Sequence, residues 1–178
     1  MAEEQTKDDH VLRTDRLALR PPDPSAASDV FALVGDPRAV EHNPSDLVVN
    51  LDQAEQLLRY WISHWDTHAF GYWCVHRIDE PTTLIGVCGV KVASLGSAQV
   101  LNLLYRLVPQ AWGQGFATEA ATVVLSWAQQ HEPDRLVIAR VRPANVASQR
   151  VAIKAGMHRT PWLDEIGEDG PDLVFTAG

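Results

Sequence analysis

Apolar residues recur along the chain with two periods, and the switches between them lay out the elements. Leu17 and Leu19 alternate with Arg16, Ala18 and Arg20, which predicts a first strand over 12–20 closed by Pro21 and Pro22. Asp23 then offers a cap and Pro24 a first helical position for a short helix. Its face is Ala27, Val30, Phe31 and Val34, and Gly35 ends it. Residues 36–50 hold two prolines and no period, so a long loop is expected there; such loops in compact domains are usually functional or disordered. Asn50 and Gln53 have capping-box spacing, and Leu51, Ala54, Leu57, Leu58, Trp61, Ile62 and Trp65 form the apolar stripe of a longer helix.

Two strands follow, 71–77 and 84–92, joined by the turn residues Asp79-Glu80-Pro81, and a third over 98–108 is closed by Pro109. A second amphipathic helix over 115–130 carries Phe116, Ala120, Val123, Val124 and Trp127 on one face. A compact strand over 135–141 is ended by Pro143, Asn145 caps a last helix that stops at Gly156, and the stretch from Met157 supplies one or two short strands. Strands cluster in the middle and alternate with helices later. The expected fold is therefore α/β of the α+β type, a mixed sheet with helices on both faces. No linker divides 11–178, which reads as one domain behind a polar, mobile tail over 1–10.

Composition narrows the function. Fifteen Lys and Arg against 23 Asp and Glu give a net charge of -8 in 178 residues, which argues against a nucleic-acid partner. Any anionic ligand must be held by a local device. No run approaches the ~20 apolar residues of a membrane span, and the acidic start is not a signal peptide. Cys74 and Cys88 lie in no metal-binding or redox spacing and read as reduced, buried residues of a cytoplasmic protein; no metal is implied.

The chemistry concentrates in Gln110-Ala111-Trp112-Gly113-Gln114-Gly115-Phe116-Ala117-Thr118-Glu119-Ala120, where two glycines stand between a strand and a helix. Unpartnered N–H groups and the positive end of the helix dipole make such a bend an anion site without any basic side chain. A glycine pair alone equally suits an ordinary tight turn. A nucleotide P-loop would need Gly-Lys-Ser/Thr, which is absent. A dinucleotide fingerprint forced onto Gly113 to Thr118 lacks its third glycine.

Gln-x-x-Gly-x-Gly after Leu104-Tyr105-Arg106-Leu107-Val108-Pro109 closely resembles the acetyl-coenzyme A motif of the GNAT superfamily of N-acetyltransferases. Asn145-Val-Ala-Ser148 running into Lys154-Ala-Gly156-Met157 is similar to that family's last helix. Phe70-Gly-Tyr-Trp73 and Leu84-Ile-Gly86 look like the branch that acetylates ribosomal-protein N-termini and its small-molecule relatives. The resemblance implies a mostly antiparallel central sheet whose strands around 104–108 and 136–141 splay apart, with the pantetheine arm in the gap bonded near Leu107. It implies a pyrophosphate on the amides from Trp112 to Ala117, and a cofactor-binding set of Leu107, Gln110, Trp112, Gly113, Gln114, Gly115, Phe116, Ala117, Thr118, Asn145, Ser148 and Arg150. The cosubstrate is then acetyl-coenzyme A, and the acceptor an amine of a small molecule or protein N-terminus, with homodimerisation left open.

In this family frame Ser148 and Asn145 are the catalytic candidates, at the helix end that favours negative charge on a departing thiolate; plain N-capping is the competing role of Asn145. Relatives often carry a tyrosine for this task, and none follows Tyr105 here. The base is open. Asn102 stands where related sequences have Glu, Glu119 reads as structural, and Glu41, His42 and His64 border the expected acceptor cleft. Arg150 or Lys154 replaces the cation that relatives place at Gln114. Asn102 also keeps alive a different class, a protein that binds acyl-coenzyme A as a sensor without turnover.

Overall fold

In the computed structural model, residues 10–177 are described. The expected tail falls, except for His10, outside them. Nine strands run β1 (Leu12–Arg13), β2 (Leu17–Arg20), β3 (Tyr72–Arg77), β4 (Leu84–Leu95), β5 (Ala98–Leu107), β6 (Val137–Val141), β7 (His158–Arg159), β8 (Glu165–Gly167) and β9 (Gly170–Ala177). Four α-helices are α1 (Ala27–Val34), α2 (Leu51–His68), α3 (Phe116–His131) and α4 (Val146–Lys154). The sheet order is β1-β2-β3-β4-β5-β6-β9-β7, with β8 paired to β9. Every described pairing is antiparallel except that of β5 with β6.

Local signals account for most boundaries. Asn50 Oδ1 accepts the Gln53 N–H at 2.9 Å while Gln53 Oε1 accepts the Val49 N–H at 2.9 Å, so α2 starts with reciprocal capping. Leu95 pairs with Ala98 across a two-residue turn in which Gly96 has φ +57°, which carries β4 three residues beyond the expected end. The expected strand over 12–20 is instead a hairpin of β1 and β2: the Thr14 N–H bonds the Leu17 carbonyl at 3.0 Å and folds the chain back. The C-terminal stretch forms three strands rather than one or two, because β9 inserts between β6 and β7.

Helices cover both faces. Trp73, Val75, Ile85, Leu101 and Leu103 pack with Phe116, Ala120 and Val124 of α3 and Ala152 of α4. The alternate residues Tyr72, Cys74, Leu84 and Val87 pack with Val30, Leu33, Ala54, Leu58 and Trp61 of α1 and α2. Each large side chain so buried contributes about 1.5–3 kcal/mol. Cys74 and Cys88 are buried and unbonded, and burial pushes the Cys74 thiol up to about 12. No helix among the described residues is long and apolar enough to cross a membrane.

His64 ties α2 to this sheet. Its Nδ1 bonds the Phe70 carbonyl at 2.8 Å and its Nε2 lies 3.2 Å from the Val92 N–H. The first contact needs a proton on Nδ1 and the second needs a lone pair on Nε2, so the ring sits neutral. Burial lowers its pKa below the ordinary value of about 6.5, the Phe70 carbonyl opposes this, and the charges of His68 and Lys91 reinforce it. The unfolded chain then binds the extra proton first. His64 stabilisation should be full above pH 6.5 and decline as pH falls through its lowered folded value. Denaturant titrations from pH 7.5 to 5 check this, because a His64→Gln variant should lose part of that acid sensitivity.

Candidate functional site

Two glycines shape the bend before α3. Gly113 and Gly115 adopt φ +73° and +82°, the left-handed region that side chains disfavour, and nothing lies within 4 Å of a Cβ built on Gly113. Gly115 is the N-cap and no side chain caps α3; the first amide with a partner in the helix is that of Glu119, 3.1 Å from the Gly115 carbonyl. The Trp112 N–H is spent on the Pro109 carbonyl at 3.2 Å. Amides without a described partner therefore run from Gly113 to Thr118, while that of Trp112, the first of the expected set, is engaged.

The bend is braced from the far end of the chain. Glu119 accepts the Thr14 hydroxyl at 2.5 Å, the Arg16 N–H at 3.0 Å and Arg16 Nε at 2.7 Å. Arg16 Nη1 reaches the Gln114 carbonyl at 3.0 Å and its guanidinium lies 4.5 Å over the Phe116 ring. Burial works to raise the Glu119 carboxyl, yet the Thr14 and Arg16 hydrogen bonds outweigh it and hold the group below its ordinary value. Glu119 is thus a fully engaged brace. Gln114 donates its side-chain amide to the Gln110 main-chain carbonyl at 3.0 Å, so this side chain ties the bend to itself.

Beyond the bend the sheet opens. β5 and β6 pair only at Leu101 with Val137 and Asn102 with Ile138, and then diverge. The Val108 N–H bonds the Ile85 carbonyl at 2.9 Å and the Leu101 N–H the Leu136 carbonyl at 2.9 Å. By the alternation of the ladder, the main-chain groups of Tyr105 and Leu107 face the opening. One of them is taken: Trp112 Nε1 donates to the Leu107 carbonyl at 2.8 Å, leaving that residue's N–H. A cleft of about 720 Å³ follows the opening, lined by the bend, the start of α4, loop 36–50 and the β8–β9 turn.

At the start of α4, Asn145 Oδ1 accepts the Ser148 N–H at 3.0 Å, so its oxygen is a cap. Ser148 Oγ donates to the Tyr105 hydroxyl at 3.0 Å, and that hydroxyl donates to the Ser148 carbonyl at 2.7 Å. Burial, partly offset by the Ser148 bond, pushes the Tyr105 phenol up to about 12, so it stays protonated. A tyrosine does enter the site, from β5, where Tyr105 shares a face with Leu101, Leu103 and Leu107. Arg150 and Lys154 line the cleft, exposed, without an ion pair among the described residues. Glu41 and His42 line it as expected; His64 does not, being held between α2 and the sheet. Asn102 receives Arg140 Nη1 at 3.2 Å.

The other face of the opening is polar. Arg106 pairs with Asp46 at 2.5 Å, and Arg140 with Glu165. Arg142 contacts Asn43, the carbonyls of Gly170 and Pro171, Asp169 at 3.7 Å and Asp172 at 3.2 Å. Among the described residues no cluster of His, Cys, Asp and Glu is arranged to hold a metal.

YkkB of Bacillus subtilis is 28% identical over 150 residues, 83% of this chain and 84% of its own. YoaA of the same organism, an uncharacterized N-acetyltransferase, is 24% identical over 149 residues, 84% of this chain and 83% of its own. An acetyltransferase of Agrobacterium tumefaciens superposes with TM-score 0.78 at 24% identity over 94% of each chain. The ribosomal L7/L12 alpha-N-protein acetyltransferase RimL, solved with coenzyme A, superposes with TM-score 0.72 at 15% identity over 94% of this chain and 97% of its own. The family model of the acetyltransferase (GNAT) domain matches residues 16–158, and the chain belongs to that family.

Proposed function

We propose that the protein moves the acetyl group of acetyl-coenzyme A to a primary amine, preferentially an α-amino group, by direct attack and without a covalent enzyme intermediate. The observation that carries this reading is the uncapped start of α3 behind two left-handed glycines, opening onto the divergence of β5 and β6. The N–H groups from Gly113 to Thr118 hold the diphosphate, and Tyr105 and Leu107 offer main-chain partners to the pantetheine. Arg150, with Lys154 beside it, meets the adenosine 3′-phosphate.

Ser148 acts at the sulfur. Its hydroxyl turns from Tyr105 to the departing thiolate, while the α4 dipole and the Asn145 amide favour the negative charge. Tyr105 accepts the resting hydroxyl and so fixes where it starts. An α-amine with pKa near 7.8 is roughly 14% neutral at pH 7 and a lysine near 10.4 about 0.04%, a difference of roughly 3.5 kcal/mol in favour of the α-amine. RimL, an alpha-N-protein acetyltransferase, supports the same acceptor class. Unbonded Cys74 and Cys88 support a reducing, cytoplasmic setting.

Thiol release from acetyl-coenzyme A over a panel of peptides tests the reading. Free α-amines should react faster than lysines in matched N-blocked peptides, and the reverse order would refute the preference. Tight binding without turnover across the panel would favour the sensor. Arg150→Ala should weaken coenzyme A but leave its 3′-dephospho form almost unaffected; equal losses would remove Arg150 from the 3′-phosphate.

A further inference from the structure

Five carboxylates line the cleft, Glu165 stands beside it, and most are already occupied. Asp46 pairs with Arg106, Glu165 with Arg140, and Asp169 accepts both the Ser45 N–H at 3.1 Å and its hydroxyl at 2.6 Å. Glu41 and Glu168 are open to solvent. Asp172 is the most enclosed of them: it lines the cleft, is 6% exposed, and has one described partner, which it shares. Its neighbour is Arg142 Nη1, 3.2 Å from Oδ1, a guanidinium shared with Asp169, Asn43 and the carbonyls of Gly170 and Pro171. A buried carboxylate with unfilled acceptor capacity is costly unless a donor reaches it.

The register puts this carboxylate opposite the thiolate end of the site. Val141 pairs with Leu173, so Asp172 stands across from Arg142 and shares its face of the sheet with Arg140 and Asn102. Tyr105 and Ser148 lie on the other face, towards α4. The divergence of β5 and β6 connects the two.

We infer that the Asp172 carboxylate receives the acceptor amine and is the base that deprotonates it, rather than any residue at the Asn102 position. This rests on the acetyl-transfer reading and completes it. The acceptor arrives as an ammonium that donates to Asp172 and gives up one proton to it. The freed nitrogen lone pair attacks the thioester carbon, forming the C–N bond and leaving the charge on oxygen. Collapse then breaks the C–S bond, with its electron pair leaving on sulfur. Ser148 passes its hydroxyl proton to that thiolate and takes the second nitrogen proton in return, and Asp172 releases the first to solvent, giving amide, thiol and one proton.

The surroundings suit a base. Burial raises the Asp172 carboxyl; Arg142 and Arg140 lower it, while Glu165 and Asp169 raise it, and the net shift is upward, closer to working pH. Across the cleft stand His42, Glu41 and the Asp46–Arg106 pair.

The test compares the parent protein with Asp172→Asn and Asp172→Glu, using the best α-amine peptide of the panel and hydroxylamine, which is already neutral at pH 7. Asp172→Asn should lower kcat/KM for the peptide by about 100-fold and for hydroxylamine by a much smaller factor, while the thermal shift by acetyl-coenzyme A keeps its parent value. Its kcat/KM should follow the neutral fraction of the amine, so the acid limb moves up toward the amine's own pKa near 7.8, and Asp172→Glu should restore part of the rate and the lower limb. Peptide and hydroxylamine rates falling together, or an unchanged acid limb, would overturn the assignment and leave acetyl transfer standing. No thiol release by the parent protein with any amine would overturn both.

Discussion

Replacing Gly115 by valine should weaken acetyl-coenzyme A binding by about 100-fold. Gly115 sits at φ +82° and heads a helix with no side-chain cap. An L residue there carries roughly 1–2 kcal/mol of left-handed strain, more when β-branched. Relief of that strain turns the following amides away from the anion, and losing one charge-assisted hydrogen bond costs about 1.5–3 kcal/mol. Together these reach about 3 kcal/mol, which is two decades in Kd. The free protein should still fold, because a Cβ on Gly115 meets nothing nearer than Arg16 Nη2 at 3.4 Å. Isothermal titration calorimetry decides the matter, and affinity within a factor of about two would mean that the diphosphate binds elsewhere.

The second large effect concerns Ser148. Ser148→Ala should lower kcat by about 100-fold, the lower range of general-acid contributions, with little change in KM for acetyl-coenzyme A. Tyr105→Phe should fall in the same direction by less, since it keeps the hydroxyl at Ser148 and removes only the group 3.0 Å away that orients it. Steady-state rates with a saturating amine provide the comparison. A Ser148→Ala enzyme with near-parent kcat would reduce Ser148 to a support for Tyr105.

Local codes were readable because they act over a few residues. Asn50 and Gln53 start α2, Pro109 ends β5, and Gly113 and Gly115 mark the bend, each through backbone chemistry that a neighbour three or four positions away completes. The uncapped start of α3 was legible for the same reason. What escaped reading depends on contacts between distant segments. Nothing in Thr14 or Arg16 announces a carboxylate 105 or 103 residues away, yet that link braces the bend. Tyr105 meets Ser148 43 residues later only because β5 leaves β6 and lets α4 close over the gap. His64 looked like an acceptor-cleft residue by position, but two main-chain groups of the sheet claim both its nitrogens. Asp172 carried no signal at all: its burial comes from β9 entering the sheet beside β6, a pairing that alternation in a short C-terminal segment does not encode.

The same distinction separates the two halves of the site. In the proposed reading the cosubstrate half is built from one strand–bend–helix segment and the head of α4, so its chemistry is local. The acceptor half of that reading is assembled from loop 36–50, the ends of β5 and β6, and the β8–β9 turn, where charges are paired.

A crystal structure with coenzyme A bound tests the central claim most directly. The diphosphate should lie against the amides of Gly113 to Thr118, with the pantetheine passing between β5 and β6 and its sulfur near Ser148. A diphosphate seated away from that bend, or a thiol arm that never enters the gap, would contradict the account.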